Sequence, residues 1–169
     1  ANTKKQQKLH NLTQKELILK IGFKKLKNKL VLDSGCGNGH LLDLIKGSAK
    51  KTFGVEPSRH FHHSLKRRGH KIFSYGKDLI RNKIKVDVVI SFGVIEHTSN
   101  PIKYLSEIYK ILKSGGELYL VTENINDFLL QLKIKEFDKF FYRTAHNYYF
   151  EQKSLKRTLK KSGFKNIKV

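Results

Sequence analysis

The sequence predicts an α/β fold: a doubly wound sheet with helices on both faces. Three observations predict it. Short apolar runs, such as Val86-Asp87-Val88-Val89-Ile90-Ser91-Phe92, alternate along the chain with segments at helical spacing. The runs are apolar at consecutive positions, not at every second one, which is the pattern of a sheet covered on both faces. The first run ends at Asp33 in a glycine cluster, Gly35-Cys36-Gly37-Asn38-Gly39, that opens into a helix.

In chain order, residues 1–10 read as a polar tail or helix start, and residues 12–26 as a helix with Leu17, Ile18, Ile21 and the Lys25 stem on one side. Residues 29–33 are the first strand. Leu41, Leu42, Leu44 and Ile45 follow at helical spacing and stop at Gly47. Residues 52–56 are the second strand, after which Ser58 is placed to cap a helix running to Gly69. Residues 71–75 and 86–92 are the third and fourth strands. Pro101 opens a helix in which Ile102, Leu105, Ile108 and Leu112 share a face, ending at Ser114-Gly115-Gly116. Residues 117–122 form the fifth strand, 124–150 an aromatic-rich segment, 153–162 a helix closed by Gly163, and 165–169 a sixth strand. No internal repeat interrupts this order. The expected organisation is a tail and helix over 1–28 and one domain over 29–169.

Composition narrows the setting. The 169 residues carry 35 Lys+Arg against 14 Asp+Glu, a formal charge of +21. Lysines are scattered along the chain and not gathered in one block, so the charge is read as a generic basic surface, with nucleic acid as the less favoured partner. No apolar stretch approaches the length of a membrane span. No apolar segment of a signal peptide opens the chain. The single cysteine, Cys36, excludes an internal disulfide and a multi-cysteine zinc site, and suits a cytoplasmic protein.

In an open α/β sheet, ligands lie outside the carboxyl ends of the strands, where the winding reverses. The glycines after Asp33 permit a tight turn and let a ligand lie against backbone. About twenty residues on, Glu56 ends the second strand, where a carboxylate can accept hydrogen bonds from the two hydroxyls of a ribose. Alternatively it favours the dipole of the following helix. A dinucleotide fingerprint needs a third glycine where this chain has His40, so a pyrophosphate fits poorly. S-adenosylmethionine has no phosphate. It needs room for adenosine and polar groups for a methionine, and Asp33 can serve the ammonium end.

The stretch Val31-Leu32-Asp33-Ser34-Gly35-Cys36-Gly37-Asn38-Gly39-His40-Leu41-Leu42 resembles motif I of the class I S-adenosylmethionine-dependent methyltransferases. Further stretches match in order: Gly54-Val55-Glu56-Pro57-Ser58, the run from Asp87 through Phe92-Gly93 to Glu96-His97, Leu112-Lys113-Ser114-Gly115-Gly116, and His146-Asn147-Tyr148-Tyr149-Phe150 with Gly163-Phe164. The Glu96-His97 pair is common in the ubiquinone-biosynthesis-like, small-molecule branch. The resemblance implies a Rossmann-like sheet of class I topology. That sheet ends with a sixth and an antiparallel seventh strand, and the last of these is expected to be missing here. It also implies site residues: Asp33, Ser34, Gly35, Cys36, Gly37 and Gly39 in the cofactor loop, Glu56 with Pro57 at the ribose, Asp78 at the adenine amino group, and Phe92 and Gly93 beside the methionine. Asp78 reads equally as a solvated loop carboxylate.

Methyl transfer is an in-line displacement on an activated sulfonium, so positioning supplies most of the rate. His97 is the candidate base for a hydroxyl acceptor, or a residue that orients the substrate. His146 and Tyr148 are candidates for a substrate lid or for packing. His60, His62, His63 and His70 read as surface residues, and no metal is expected. The Asn/Asp-Pro-Pro-Tyr/Phe loop of adenine amino-methylating enzymes is absent after the fourth strand, and Cys36 is misplaced for a cytosine C5 nucleophile. The expected activity is methyl transfer to an O or N atom of a small-molecule, or lipid- or sugar-linked, acceptor. The alternatives are an RNA methyltransferase and a non-catalytic S-adenosylmethionine-binding domain.

Overall fold

The structure is a computed structural model that describes residues 2–132 and 141–169, with side chains from residue 11 onward. It resolves into two compact units, Ala1–Phe92 with Lys110–Leu120, and Gly93–Tyr109 with Val121–Val169.

The first unit is built on the sheet. Strands β1 (Leu30–Ser34), β2 (Lys51–Val55), β3 (Lys71–Phe73), β4 (Val86–Phe92) and β5 (Leu112–Val121) lie in the order β3-β2-β1-β4-β5. β1 pairs in parallel with β2 on one side, Ser34 opposite Val55, and with β4 on the other, Asp33 opposite Ile90. β2 pairs in parallel with β3. The winding therefore reverses at β1, and the crevice this opens lies at the end of the strand that carries Asp33. The continuous apolar runs are buried on both faces as expected: four of five residues in each of β1 and β2, and five of seven in β4.

Helices cover both faces. α1 (Asn2–Ile21) and α2 (Phe23–Leu26) replace the single helix expected over 12–26. Gly22 stands between them at φ 86, a left-handed backbone that breaks the helix and that glycine adopts without strain. Ile18, Ile21 and Leu26 pack with Val31, Val88 and Ile90 of the strands and with Leu41 and Ile45 of α3 (His40–Ile45). A second cluster joins Cys36, Leu42, Leu65 and Ile72, with Phe61 against it. Leu65 belongs to α4 (His62–Arg67), which a 3-10 turn over Arg59–Phe61 precedes. Ser58 does not cap it with its side chain; its N–H instead donates to Glu56 Oε1 at 2.8 Å. α5 (Gly76–Arg81) follows β3. β5 begins at Leu112, earlier than expected, and runs through the glycine pair, with Gly115 at φ 73.

In the second unit, a 3-10 turn holds Ile95–His97, and α6 (Pro101–Ile111) starts at Pro101. Leu105 and Ile108 are buried, but Ile102 is 42% exposed and Leu112 already belongs to β5, so the expected four-residue face loses its first and last members. α7 (Phe128–Gln131) is a single turn. The aromatic-rich segment expected over 124–150 is described except at 133–140. α8 (Gln152–Lys161) buries Leu155 and Leu159. Its C-terminal Ser162 Oγ donates to Ile102 O at 3.3 Å, and Gly163, at φ 99, passes so close to Tyr109 that a Cβ would sit 3.2 Å from the ring. The sixth strand expected over 165–169 does not form. Asn166 takes a left-handed backbone at φ 54 and breaks any extended run. No described helix is long and apolar enough to cross a membrane.

Candidate functional site

The glycine loop is tied to the end of β2 at several points. The N–H groups of Gly35 and Cys36 both donate to Val55 O, at 2.8 and 3.1 Å, and the Gly37 N–H donates to Glu56 Oε2 at 2.9 Å. Glu56 thus sits under the loop, its two oxygens held by Gly37 and Ser58. His62 Nε2 donates to the Glu56 carbonyl at 2.6 Å. Gly35, Gly37 and Gly39 have φ values of 85, 49 and 81. A Cβ on Gly37 would meet nothing within 4 Å, whereas one on Gly39 would lie 2.2 Å from Leu65 Cδ2. Gly39 is required by packing. Gly37 fronts open space.

Asp33 is 2% exposed, and its Oδ2 has no hydrogen-bond partner. Burial, with the Glu56 carboxylate nearby, pushes its carboxyl up to about 7. Ser34 and Cys36 are buried beside it. Cys36 turns its sulfur inward, where a Cβ on Gly54 would meet it at 2.6 Å. Burial, then Asp33 and Glu56, push the thiol far above its ordinary range, so it packs as a small apolar residue. Pro57 is exposed next to Glu56. Asp78 accepts the Tyr75 N–H at 3.0 Å at the start of α5 and lines an open groove of about 640 Å³ with His62, Lys66, Phe73 and Asn82.

Behind the loop runs a polar network that the sequence reading misses. His70 is a correction: it is 3% exposed, not a surface residue. Its Nε2 meets Asp43 Oδ1 at 2.8 Å and its Nδ1 meets Thr52 Oγ1 at 2.7 Å, so both ring nitrogens are satisfied in the interior. A carboxylate only accepts, so Nε2 carries the proton. Arg68 bonds the same Asp43 and the carbonyl of Asn38, and through them holds the loop from behind. The sequence signal was slight: a His, an Asp and an Arg, spread over 28 positions, with no shared motif.

The second unit carries its own polar cluster. The Asn147 and Tyr148 N–H groups donate to Glu96 O at 2.7 and 3.2 Å, Asn147 Nδ2 donates to His97 O at 3.0 Å, and Tyr148 O–H to Ser99 O at 3.2 Å. The two motif stretches around Glu96-His97 and His146-Asn147-Tyr148 are therefore fastened to each other. His97 is exposed, and its Nδ1 donates to Ala145 O at 2.8 Å, which leaves the lone pair on Nε2. His146 lies edge-on to it at 4.8 Å between ring centroids. Glu96 is 1% exposed and accepts Thr122 Oγ1 at 2.9 Å. Burial, then a hydrogen bond with Glu123, push its carboxyl up to about 7. Burial lowers His146 from the ordinary histidine range. Phe92 ends β4 and Gly93 follows at φ 63, its N–H donating to Val121 O at 3.0 Å.

Comparison with known proteins places this arrangement. A family model described as a methyltransferase domain matches residues 6–169. A tRNA U34 carboxymethyltransferase of Vibrio cholerae is 31% identical over 156 residues, covering 85% of this chain and 47% of that protein. The chain thus spans about half the length of the curated relatives it matches. Among solved structures, an S-adenosylmethionine-dependent methyltransferase from Archaeoglobus fulgidus superposes with a TM-score of 0.71 at 20% identity, covering 93% of this chain and 70% of that one. The magnesium protoporphyrin IX methyltransferase of Synechocystis, with bound S-adenosylhomocysteine, gives 0.67 at 20% identity, covering 92% and 73%. With the strand order and the glycine loop, the family match leads to one conclusion: this chain belongs to the class I S-adenosylmethionine-dependent methyltransferases.

Proposed function

We propose that the chain transfers a methyl group from S-adenosylmethionine to an oxygen or nitrogen atom of a small-molecule, or lipid- or sugar-linked, acceptor. When bound, the cofactor supplies a methyl on a sulfonium that is already activated for in-line displacement. The residues of the first unit fit it. The buried Asp33 Oδ2 lacks a partner, and the methionine ammonium is a donor of the right charge for it. Glu56 uses each oxygen once within the chain and has lone pairs left for ribose hydroxyls. The open space at Gly37 lets the ligand lie against backbone. Ser34, Gly35, Cys36 and Gly39 contribute main chain and shape. Pro57 flanks the ribose, Asp78 offers its second oxygen to the adenine amino group, and Phe92 borders the methionine.

The observation that carries the acceptor assignment is the state of His97. Its exposed ring is held by Ala145 O in the tautomer whose Nε2 lone pair is open to an acceptor O–H or N–H. A buried carboxyl, Glu96, backs it in the same turn. This is a small, polar, two-residue feature suited to a single hydroxyl or amine. To test the assignment, the protein is incubated with methyl-labelled S-adenosylmethionine and a fractionated extract. Label in the low-molecular-mass or lipid fraction is the expected result, and label confined to ribonuclease-sensitive material contradicts it.

A second reading, transfer to RNA, draws support from the names of the curated relatives and the charge of +21. It predicts RNA affinity that falls steeply with salt, by about 0.7–0.9 of a decade per decade of salt for each phosphate contacted. Binding that is flat with salt removes it.

A further inference from the structure

We infer that Glu96, His97 and His146 form a binding site for a divalent first-row transition-metal ion of the zinc or manganese type. One ligand-type atom from each of the three residues lies within 4.8 Å of the other two. Ligands of a single such ion stand about 3–4 Å apart, given metal–ligand bonds of about 2.0–2.2 Å, so a side-chain shift of about an ångström completes the set.

An independent observation points to a ligand there. The His146 side chain is only 1% exposed, yet its Nδ1 has no hydrogen-bond partner, and its Nε2 stands 3.9 Å from Glu123 Oε1, too far to bond. A buried imidazole left this way loses its hydration without a replacement. This imidazole and the buried Glu96 belong to the same cluster, so the unpaired nitrogen is placed to serve as a ligand.

The donor chemistry selects the class. Two imidazole nitrogens and one carboxylate oxygen suit zinc, manganese or iron(II) better than calcium or magnesium, which take oxygen ligands. The second layer is in place: the His97 Nδ1–H donates to Ala145 O, which leaves Nε2 as the ligating atom, and Thr122 Oγ1 orients the Glu96 carboxylate. Three protein ligands leave at least one position open.

This deepens the proposed function, on which its role in the reaction rests. The open position would take the acceptor oxygen or nitrogen, so that His97, through the metal its lone pair holds, still faces the acceptor atom. The binding site itself stands or falls on metal binding alone.

The test uses the full chain, stripped with a chelator and titrated with Co2+ and with Zn2+. The expected result is one equivalent bound, with a visible Co2+ absorption of nitrogen–oxygen ligation that Zn2+ displaces. Affinity should fall at least tenfold in His97→Ala, His146→Ala and Glu96→Gln, and stay unchanged in His60→Ala, an exposed histidine outside the cluster. His97 is exposed, so its variant is expected to fold even where the buried ones do not. Absence of stoichiometric binding, or binding that His97→Ala leaves intact, overturns the site. Methyl transfer to a small acceptor that survives the chelator, in a protein that binds no metal, overturns the metal and leaves the acceptor assignment standing. Stoichiometric metal binding with label only in RNA does the reverse.

Discussion

The backbone N–H of Gly37 donates to the Glu56 carboxylate at 2.9 Å, joining the loop after the first strand to the end of the second. Glu56 is therefore a clasp for the loop as well as a candidate ribose ligand. The two roles reinforce each other, because the bond to Gly37 fixes the carboxylate where the loop needs it.

Replacing Glu56 with Ala removes both roles. S-adenosylhomocysteine affinity should drop by about 1–3 kcal/mol, the usual cost of losing charged hydrogen bonds. The Gly37 amide should also exchange faster with solvent. Calorimetry reads the first effect and hydrogen exchange the second. Binding that is unchanged removes Glu56 from the site.

Asp33 makes a pH prediction. Its carboxyl sits at about 7 in the folded chain against an ordinary 3.8. Between those values the folded state keeps a proton that the unfolded state has lost. The stability of the unliganded protein should therefore fall as pH rises from about 4 to about 7, by at most about 1.4 kcal/mol per pH unit, and level off above. Asp33→Asn should abolish that fall. Cofactor affinity should run the other way, rising with pH to about 7 as the carboxylate ionises to meet the ammonium, and the Asn variant should bind weakly at every pH. Melting temperatures and calorimetric titrations across pH check both arms.

The two inner glycines should behave differently. Gly39→Ala drives a methyl to 2.2 Å from Leu65 Cδ2 on a left-handed backbone, and should cost about 2–4 kcal/mol of stability. Gly37→Ala meets no protein atom and should cost about 1 kcal/mol, from its φ of 49 alone, while weakening cofactor binding at least tenfold. Denaturant unfolding and calorimetry on the two variants separate packing from ligand contact.

The network behind the loop predicts an indirect effect. His70→Ala leaves the buried Thr52 hydroxyl without its partner, while the exposed Asp43 keeps Arg68, and should destabilise the fold by about 1–3 kcal/mol. Arg68→Met, which frees the Asn38 carbonyl, should weaken cofactor binding more than it lowers stability. Equal melting temperatures for His70→Ala and the parent would contradict the buried assignment.

Which parts of this architecture the sequence discloses follows from how local each cause is. The strands and the loop are legible because each is written in one short stretch: β1 and β4 in unbroken apolar runs, the loop in its glycines, the second acid in its place at a strand end. The break at Gly22 and the exposure of Ile102 are not, since a lone glycine fits a helix pattern and a helical face shows no boundary in its periodicity. His70 was misread because its burial depends on Asp43 and Thr52, residues 27 and 18 positions away. The same holds for the pairing of His97 with the Ala145–His146 turn, 48 positions on. Residues 165–169 look like a strand by composition, but pairing decides a strand, and Asn166 turns the backbone away.

The loop from Gly35 to Gly39, with Asp33 and Glu56, is proposed to receive the cofactor. Backbone amide resonances followed by NMR during titration with S-adenosylhomocysteine test it most directly. Saturable shifts are expected at Gly35, Gly37 and Glu56, and are lost in Glu56→Ala. Saturation with those amides unmoved would contradict it.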